Sequence, residues 1–138
     1  MVSLIIGHKG SGKTKHLIDE VNKAMEASNG HVICVEKGRK LTYDINSQVR
    51  LVSVDDYAVS GYEAYYGLLA GMCAGDSDIT DVLCDGTLKI GGTDMEALAD
   101  FFEKVRNLGD ATETKFTFTV SADESELPKR IFDSCEQI

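Results

Sequence analysis

The sequence GHKGSGKT, at residues 7–14, is the stretch of the chain that carries most information about its fold. It follows the short apolar run Val2–Ile6 and leads into the segment Lys13–Ser28, in which apolar residues recur at the spacing of a helix. A strand, a glycine-rich turn and a helix in this order predict an α/β fold with the turn at the carboxyl end of the first strand. We call this stretch the glycine-rich loop; its members are Gly7, His8, Lys9, Gly10, Ser11, Gly12, Lys13 and Thr14.

The glycine-rich loop has the residue types that phosphate binding requires, in the pattern G-x-x-x-x-G-K-[ST]. Backbone N–H groups of such a loop turn inward around an anion, and its glycines let the backbone approach a phosphate closely. The helix that begins near Lys13 directs the positive end of its dipole at the same place. Lys13 would then reach the β- and γ-phosphates of a nucleotide, and the Thr14 hydroxyl would be offered to Mg²⁺.

The rest of the chain alternates between strands and helices. Further strands are predicted at His31–Glu36, Val49–Val54, Ile79–Cys84 and Thr114–Val120. Helices are predicted to end near Gly75 and Gly109, and a last short helix after Pro128 would include Cys135. Repeated strand–helix units predict a single domain over residues 1–138, with a mostly parallel five-stranded sheet and helices on both faces.

These features resemble the P-loop NTPase superfamily, along the whole chain in its strand–helix rhythm. The resemblance implies a three-layer α/β fold that binds a purine nucleotide with Mg²⁺. No N-K-x-D or T-K-x-D motif, which reads guanine in this superfamily, follows a late strand, so the resemblance favours ATP. It also implies a RecA-like strand order, in which the fifth strand lies between the first strand and the strand at residues 79–84. In kinases and GTPases those two strands are adjacent.

At a closer level the chain is similar to small, stand-alone P-loop proteins of Gram-positive anaerobes that are described as ATP-binding. The shared segments are LIIGHKGSGKTKHLID at 4–19, YDI at 43–45, DGTLKI at 85–90 and VSADESELP at 120–128. This similarity implies an ATP-binding domain and names no substrate, pathway or partner.

A phosphate loop of this kind also needs a carboxylate at the end of another strand to hold the metal. Asp85 follows the apolar residues Val82–Cys84, and we favour it as the metal carboxylate together with Thr14. Asp55, which follows the apolar run Leu51–Val54, is the alternative. An aspartate in that position is also common as a solvated loop residue or a helix cap.

The residues needed for hydrolysis are less complete than the residues needed for phosphate binding. Many RecA-like ATPases have Glu directly after this aspartate, whereas here the residue is Gly86, so we expect hydrolysis that is slow or stimulated by a partner. Ser121, at the end of the fifth strand, resembles the polar sensor of RecA-like domains, although its spacing from Glu124 also suits a helix cap. If the third strand carries the metal carboxylate instead, Asp56 is the candidate for positioning water. Lys13, Asp85 and Ser121 are therefore the candidate catalytic residues.

The sequence is also compatible with two other functions. The first is a small-molecule or nucleotide phosphotransferase, which would need a second pocket lined by residues such as Arg39 and Tyr43. The second is a non-catalytic module whose association with a protein partner or a second copy depends on nucleotide.

Composition excludes some partners. The net charge is -9, divided between a net of +3 in residues 1–50 and -12 in residues 51–138. So acidic a chain is poorly suited to coating nucleic acid or an anionic membrane. There is no signal-peptide pattern and no apolar run near the roughly 18 residues of a membrane span. The four cysteines form no C-x-x-C pair, and a reducing cytoplasm is the expected setting.

Overall fold

Six parallel strands form one sheet in the computed structural model, which describes every residue from Met1 to Ile138. The strands are β1 (Val2–Gly7), β2 (His31–Glu36), β3 (Arg50–Ser53), β4 (Ile79–Cys84), β5 (Lys115–Ser121) and β6 (Cys135–Gln137). Their order across the sheet is β3-β2-β4-β5-β1-β6, and every neighbouring pair is parallel. The prediction of an α/β fold with a mostly parallel sheet is therefore confirmed.

Helices cover both faces of this sheet. They are α1 (Lys13–Ala27), α2 (Tyr62–Gly75), α3 (Thr87–Gly91), α4 (Met95–Thr112) and α5 (Ile131–Ser134), with short 3₁₀ turns at Val54–Tyr57 and Glu124–Glu126. Helix α1 packs on one face through Leu17 and Val21, in a cluster of nine buried residues. Helices α2 and α4 cover the other face, where the larger cluster holds 25 buried residues. The two-sided burial explains the continuous apolar runs Val32–Val35 in β2 and Val82–Cys84 in β4.

Aromatic rings fill the larger of the two clusters. Tyr65 of α2 stacks on Phe101 of α4 with ring centroids 4.9 Å apart, and both rings meet Phe118 of β5 edge-on. Phe102 lies 5.2 Å from the Phe118 ring. Phe118 is thus the point at which both helices are fixed to the centre of the sheet.

Strand β5 lies between β1 and β4, which is the placement predicted for the fifth strand. The register pairs Gly7 of β1 with Ser121 of β5, and Cys84 of β4 with Phe118 of β5. Because all three strands run in the same direction, the segments that follow them emerge together at the carboxyl ends of the strands. The glycine-rich loop and Asp85 therefore lie on either side of the end of β5.

The predicted strand count was wrong, because the chain has a sixth strand. Helix α5 ends at Ser134, and Cys135–Gln137 pairs with Val2–Leu4 at the edge of the sheet instead of continuing the helix. A strand of three residues is too short to show alternation in its sequence. Its extended conformation depends on the neighbouring β1, which supplies its hydrogen-bonding partners.

Helix α4 also continues past the predicted end at Gly109, to Thr112. A Cβ atom at Gly109 would lie 2.7 Å from the carbonyl oxygen of Thr114, so this glycine permits a close approach between the helix and the start of β5. The chain leaves the helix at Glu113, which has a left-handed backbone with φ of 56°. Gly109 is thus a packing residue and not the helix terminator.

The four cysteines are buried and form no disulfide. Burial raises the pKa of the Cys84 thiol to about 12, as expected for a small core residue. None of the helices combines the length and apolarity that crossing a lipid bilayer requires.

At the amino end of the sheet, an exposed ion pair joins the start of β2 to the end of α2. Nδ1 of His31 lies 2.6 Å from a carboxylate oxygen of Asp76. This hydrogen bond raises the pKa of His31 above its ordinary value of 6.5 and lowers the pKa of Asp76 below its ordinary value of 3.8. The ion pair therefore stabilises the fold between these two pKa values. Its contribution is lost when pH rises through the raised pKa of His31, and also when pH falls through the lowered pKa of Asp76.

We predict that Asp76→Asn moves the titration midpoint of His31 down toward 6.5, because the amide cannot stabilise the imidazolium as the carboxylate does. Histidine NMR signals followed from pH 5 to 9 would measure this. Asp78 contributes less to the pKa of His31, so Asp78→Asn serves as the control with a smaller shift in the same direction. An unchanged midpoint in Asp76→Asn would show that the pair does not form in solution.

Candidate functional site

The glycine-rich loop leaves β1 at Gly7 and becomes helix α1 at Lys13. Gly12, the residue that caps α1, has a left-handed backbone with φ of 88°, and Gly10 has φ of 85°. These are conformations that a side chain makes costly, which explains glycine at both positions. No side chain caps the amino end of α1. The first N–H groups of the helix have no partner within it, so they are available to an anion.

Asp85 is held from two sides by hydroxyl groups. Thr14 Oγ1, on the first turn of α1, donates to Asp85 Oδ2 over 3.2 Å. Thr119 Oγ1, on β5, donates to Asp85 Oδ1 over 2.6 Å. The backbone N–H of Asp85 donates to Val35 O over 2.8 Å, which fixes the main chain to the end of β2. The structure therefore brings together Thr14 and Asp85, the two residues predicted as metal ligands.

Thr119 is a residue of the site that the sequence analysis missed. It is only 2% exposed, and besides donating to Asp85 its hydroxyl accepts the backbone N–H of Gly86 over 2.9 Å. The Thr119 hydroxyl thus orients the Asp85 carboxylate and fixes the backbone of Gly86, the next residue in the chain. A signal was present in the sequence: Thr119 lies two residues before Ser121, so both side chains point to the same face of β5.

A cavity of about 450 Å³ lies between the glycine-rich loop, the end of β5 and helix α3. Leu88 is the one hydrophobic residue of its lining, which contains three lysines and a single carboxylate, that of Asp85. The lining residues are Lys9, Gly10, Gly12, Lys13, Thr14, Asp85, Gly86, Leu88, Lys89, Thr119 and Ser121. In a chain with a net charge of -9, this surplus of cations around one cavity favours an anionic ligand.

Lys13 lies partly buried at the base of this cavity. Its ammonium group donates to the carbonyl oxygen of His8 over 2.7 Å. Burial lowers the pKa of Lys13; the negative charge of Asp85 opposes this shift, and the positive charge of Lys89 adds to it. The ammonium is thus kept in a position where an anion would stabilise its charged form.

Ser121 is the last residue of β5 and lines the cavity opposite Gly7 in the strand register. The alternative prediction, in which Ser121 caps a helix with Glu124, was wrong. The 3₁₀ turn that follows is capped by Asp123, and Glu126 accepts the Asp123 N–H over 2.9 Å in the reciprocal bond. The side chain of Ser121 is therefore not required for the turn.

Asp55 and Asp56 lie far from the glycine-rich loop. They follow β3 at the sheet edge, and three strands separate β3 from β1, a distance of about 19 Å at ordinary strand spacing. Asp55 accepts hydrogen bonds from Lys37 Nζ over 2.8 Å and from the Gly38 N–H over 3.0 Å, and the bond from Lys37 lowers its pKa. Asp56 pairs with Arg39. These aspartates hold the segment after β2, and neither lines the cavity.

Glu36, at the end of β2, is a buried carboxylate that the sequence analysis did not select. Its side chain accepts the backbone N–H of Lys40 over 2.9 Å and that of Leu41 over 3.3 Å. Burial raises the pKa of Glu36 despite these bonds, and the charge of Asp85 raises it further. The carboxylate is directed at the following loop and does not line the cavity. Its geometry is that of an anchor for this loop.

Three other residues from the sequence analysis lie outside the cavity lining. His8 is on the glycine-rich loop, and its Nε2 lies 2.6 Å from Asp123 Oδ1 on the protein surface. Arg39 is occupied by Asp56, and the Tyr43 side chain is 95% exposed. The second pocket expected for a phosphotransferase, lined by Arg39 and Tyr43, is therefore not formed next to the glycine-rich loop.

The sequence matches no protein-family model and none of the curated proteins compared with it. The residues and geometry of this cavity are therefore the features that indicate a function.

We predict that Thr119→Val destabilises the fold by about 1–3 kcal/mol, because it leaves the Gly86 N–H and one Asp85 oxygen without their partner in a site of low exposure. Urea denaturation would measure the change in the free energy of unfolding. Thr117→Val is the control: Thr117 lies on the same face of β5, and the hydroxyls bonded to Asp85 are those of Thr14 and Thr119. Equal effects of the two substitutions would contradict the assigned role of Thr119.

Proposed function

We propose that the chain is an Mg-ATP-binding protein of the P-loop NTPase superfamily, with hydrolysis that is slow or stimulated by a partner. The observation that carries this proposal is the junction of three elements in one cavity. Part of the glycine-rich loop, the Thr14–Asp85 pair and three lysines all face the same cavity of about 450 Å³, whereas Gly7, His8 and Ser11 of the loop do not line it.

Phosphate would be held by the backbone of the glycine-rich loop and the side chain of Lys13. The uncapped amino end of α1 and the left-handed residues Gly10 and Gly12 support this part of the proposal. Together they leave N–H groups free to donate to phosphate oxygens, with a lysine beside them as a positive charge.

The donor set around Asp85 fits Mg²⁺. Hydroxyl and carboxylate oxygens are the hard ligands that this ion prefers, and Thr14 and Asp85 supply one of each within 3.2 Å of one another. When bound, Mg²⁺ would neutralise phosphate charge at this position. Thr119, by holding the second oxygen of Asp85, would keep the carboxylate in the orientation needed to contact the ion or one of its water ligands.

The lining of the cavity supports slow hydrolysis. A general base needs to lie within hydrogen-bonding reach of the water that it activates. The one carboxylate in the lining is Asp85, which is committed to two hydroxyl donors, and the next residue is Gly86. Ser121 could orient a terminal phosphate or a water from the end of β5, but its hydroxyl is a weak base. A partner that supplies the missing group would accelerate turnover.

The strand order favours a RecA-like arrangement over that of kinases and GTPases. Strand β5 separates β1 from β4, whereas the kinase and GTPase arrangement has the two strands adjacent. Because Arg39 and Tyr43 do not line the cavity, the phosphotransferase alternative has no second substrate pocket to support it. The lack of a general base would equally suit a non-catalytic module whose association with a partner depends on nucleotide. The rate of ATP hydrolysis distinguishes that candidate from an ATPase, because the module would show no turnover.

We predict that Lys13→Ala weakens ATP binding by about 10- to 100-fold, since a charge-assisted bond to phosphate contributes on the order of 1.5–3 kcal/mol. Titration of fluorescently labelled ATP followed by anisotropy would measure this. Lys15→Ala, two residues along α1, is the matched control, because Lys15 is exposed and does not line the cavity. ATP binding unaffected by Lys13→Ala would refute the proposed phosphate site, as would a failure of the wild-type protein to bind ATP.

We predict that Mg²⁺ strengthens ATP binding by the wild-type protein and that Asp85→Asn removes this dependence on Mg²⁺, because an amide is a poorer ligand than a carboxylate. Calorimetric titrations with ATP, in the presence of Mg²⁺ and of a chelator, would give the ratio of the two affinities for each variant. Asp55→Asn is the control and keeps the wild-type ratio, since Asp55 lies at the far edge of the sheet. Loss of the Mg²⁺ effect in Asp55→Asn instead would reverse the assignment of the metal carboxylate.

A further inference from the structure

Lys89 lines the cavity, and the proposed function gives its side chain no individual role. It lies on helix α3, directly beyond Asp85 and Gly86, and its side chain lines the cavity on the side opposite the glycine-rich loop. The loop follows β1 and α3 follows β4, and β5 lies between these two strands. At ordinary strand spacing the two walls therefore begin about 10 Å apart.

The backbone of α3 is anchored in place, so the position of Lys89 is not arbitrary. Thr87 and Ile90, on either side of it, are buried. The carbonyl oxygen of Ile90 accepts the backbone N–H of Gly61 over 2.9 Å, which ties α3 to the start of α2. At its amino end, α3 is held through the bond between the Gly86 N–H and Thr119. The exposed Lys89 side chain is thus presented from a fixed base.

The three lysines of the cavity have no carboxylate partner. The ion pairs of the chain involve other cations, and no carboxylate oxygen lies within 4.0 Å of the ammonium groups of Lys9, Lys13 or Lys89. Nine of the 14 lysines and arginines form no ion pair, so what distinguishes these three lysines is that they line one cavity together. A bound anion would relieve the mutual repulsion of these three positive charges in one cavity.

A phosphate held by the glycine-rich loop would lie at one wall of the cavity, and helix α3 with Lys89 forms the other wall. A chain of phosphates anchored at the loop extends across the cavity, and its outermost group approaches the opposite wall. A triphosphate has one more phosphate than a diphosphate, and therefore more negative charge on the Lys89 side.

We propose that Lys89 contacts the terminal phosphate of a bound nucleoside triphosphate and makes the cavity select triphosphate over diphosphate. This inference rests on the proposed function. It adds that the α3 wall of the cavity recognises the third phosphate of the nucleotide. Lys89 is a specificity-determining residue in this account, whereas Lys13 and the glycine-rich loop hold both nucleotides.

The test compares the affinities for ATP and ADP, each measured by calorimetric titration in the presence of Mg²⁺, for the wild type and for Lys89→Gln. We expect Lys89→Gln to weaken ATP binding by about tenfold or more, as for the loss of one charge-assisted bond, and to weaken ADP binding by less than about threefold. Lys89→Arg keeps the positive charge and should retain the preference for ATP. Lys115→Gln is the matched control, because Lys115 is exposed at the opposite end of β5 and does not line this cavity.

The outcomes separate this inference from the proposed function. Equal losses for ATP and ADP in Lys89→Gln would show that Lys89 only adds to the general positive potential, and would overturn the inference. Unchanged affinities in Lys89→Gln would overturn it as well, and in both cases binding that depends on Lys13 would leave the proposed function standing. A wild-type protein that binds neither nucleotide would overturn both.

Discussion

The Asp85 carboxylate, held between the hydroxyls of Thr14 and Thr119, is the interaction on which the candidate site depends. It joins three elements that are distant in sequence: the start of α1, the end of β4 and the end of β5. Parallel strands make this junction possible, because the carboxyl ends of neighbouring strands lie side by side. With β5 between β1 and β4, its Thr119 side chain lies beside the end of β4 and can bridge to Asp85. On the opposite face of β5, the aromatic cluster centred on Phe118 fixes the strand that carries Thr119.

Charge is distributed unevenly over this framework. Acidic residues dominate the chain, and many of them serve local structure: Asp94 caps α4, Asp123 caps a 3₁₀ turn, and Asp55 holds the loop after β2. The cavity is the exception, with three lysines around one aspartate. An acidic surface and a basic cavity are compatible with each other because they meet different needs, namely solubility for the whole domain and attraction of an anion at one place.

The candidate site could be predicted in part. The glycine-rich loop is a continuous segment whose spacing carries its own chemistry, and Asp85 follows an apolar strand that was recognisable from its residues. The choice between Asp85 and Asp55 was a preference only, since both follow apolar strands, and it was the strand order that put Asp55 about 19 Å from the loop. Thr119 and Lys89 were not selected, because a threonine in a strand and a lysine after a loop are ordinary until their neighbours across the sheet are known.

The sequence by itself determined the class of fold, most of the strands and helices and the position of the glycine-rich loop, because these depend on local spacing: alternation, helical periodicity and glycines in a turn. Only the tertiary structure decided which carboxylate meets Thr14, that Ser121 is not a cap, that Gly109 is a packing residue and that Cys135–Gln137 forms a sixth strand. Each of these depends on contacts between segments far apart in the chain. Such contacts are set by the order of strands in the sheet, which no local pattern of residues encodes.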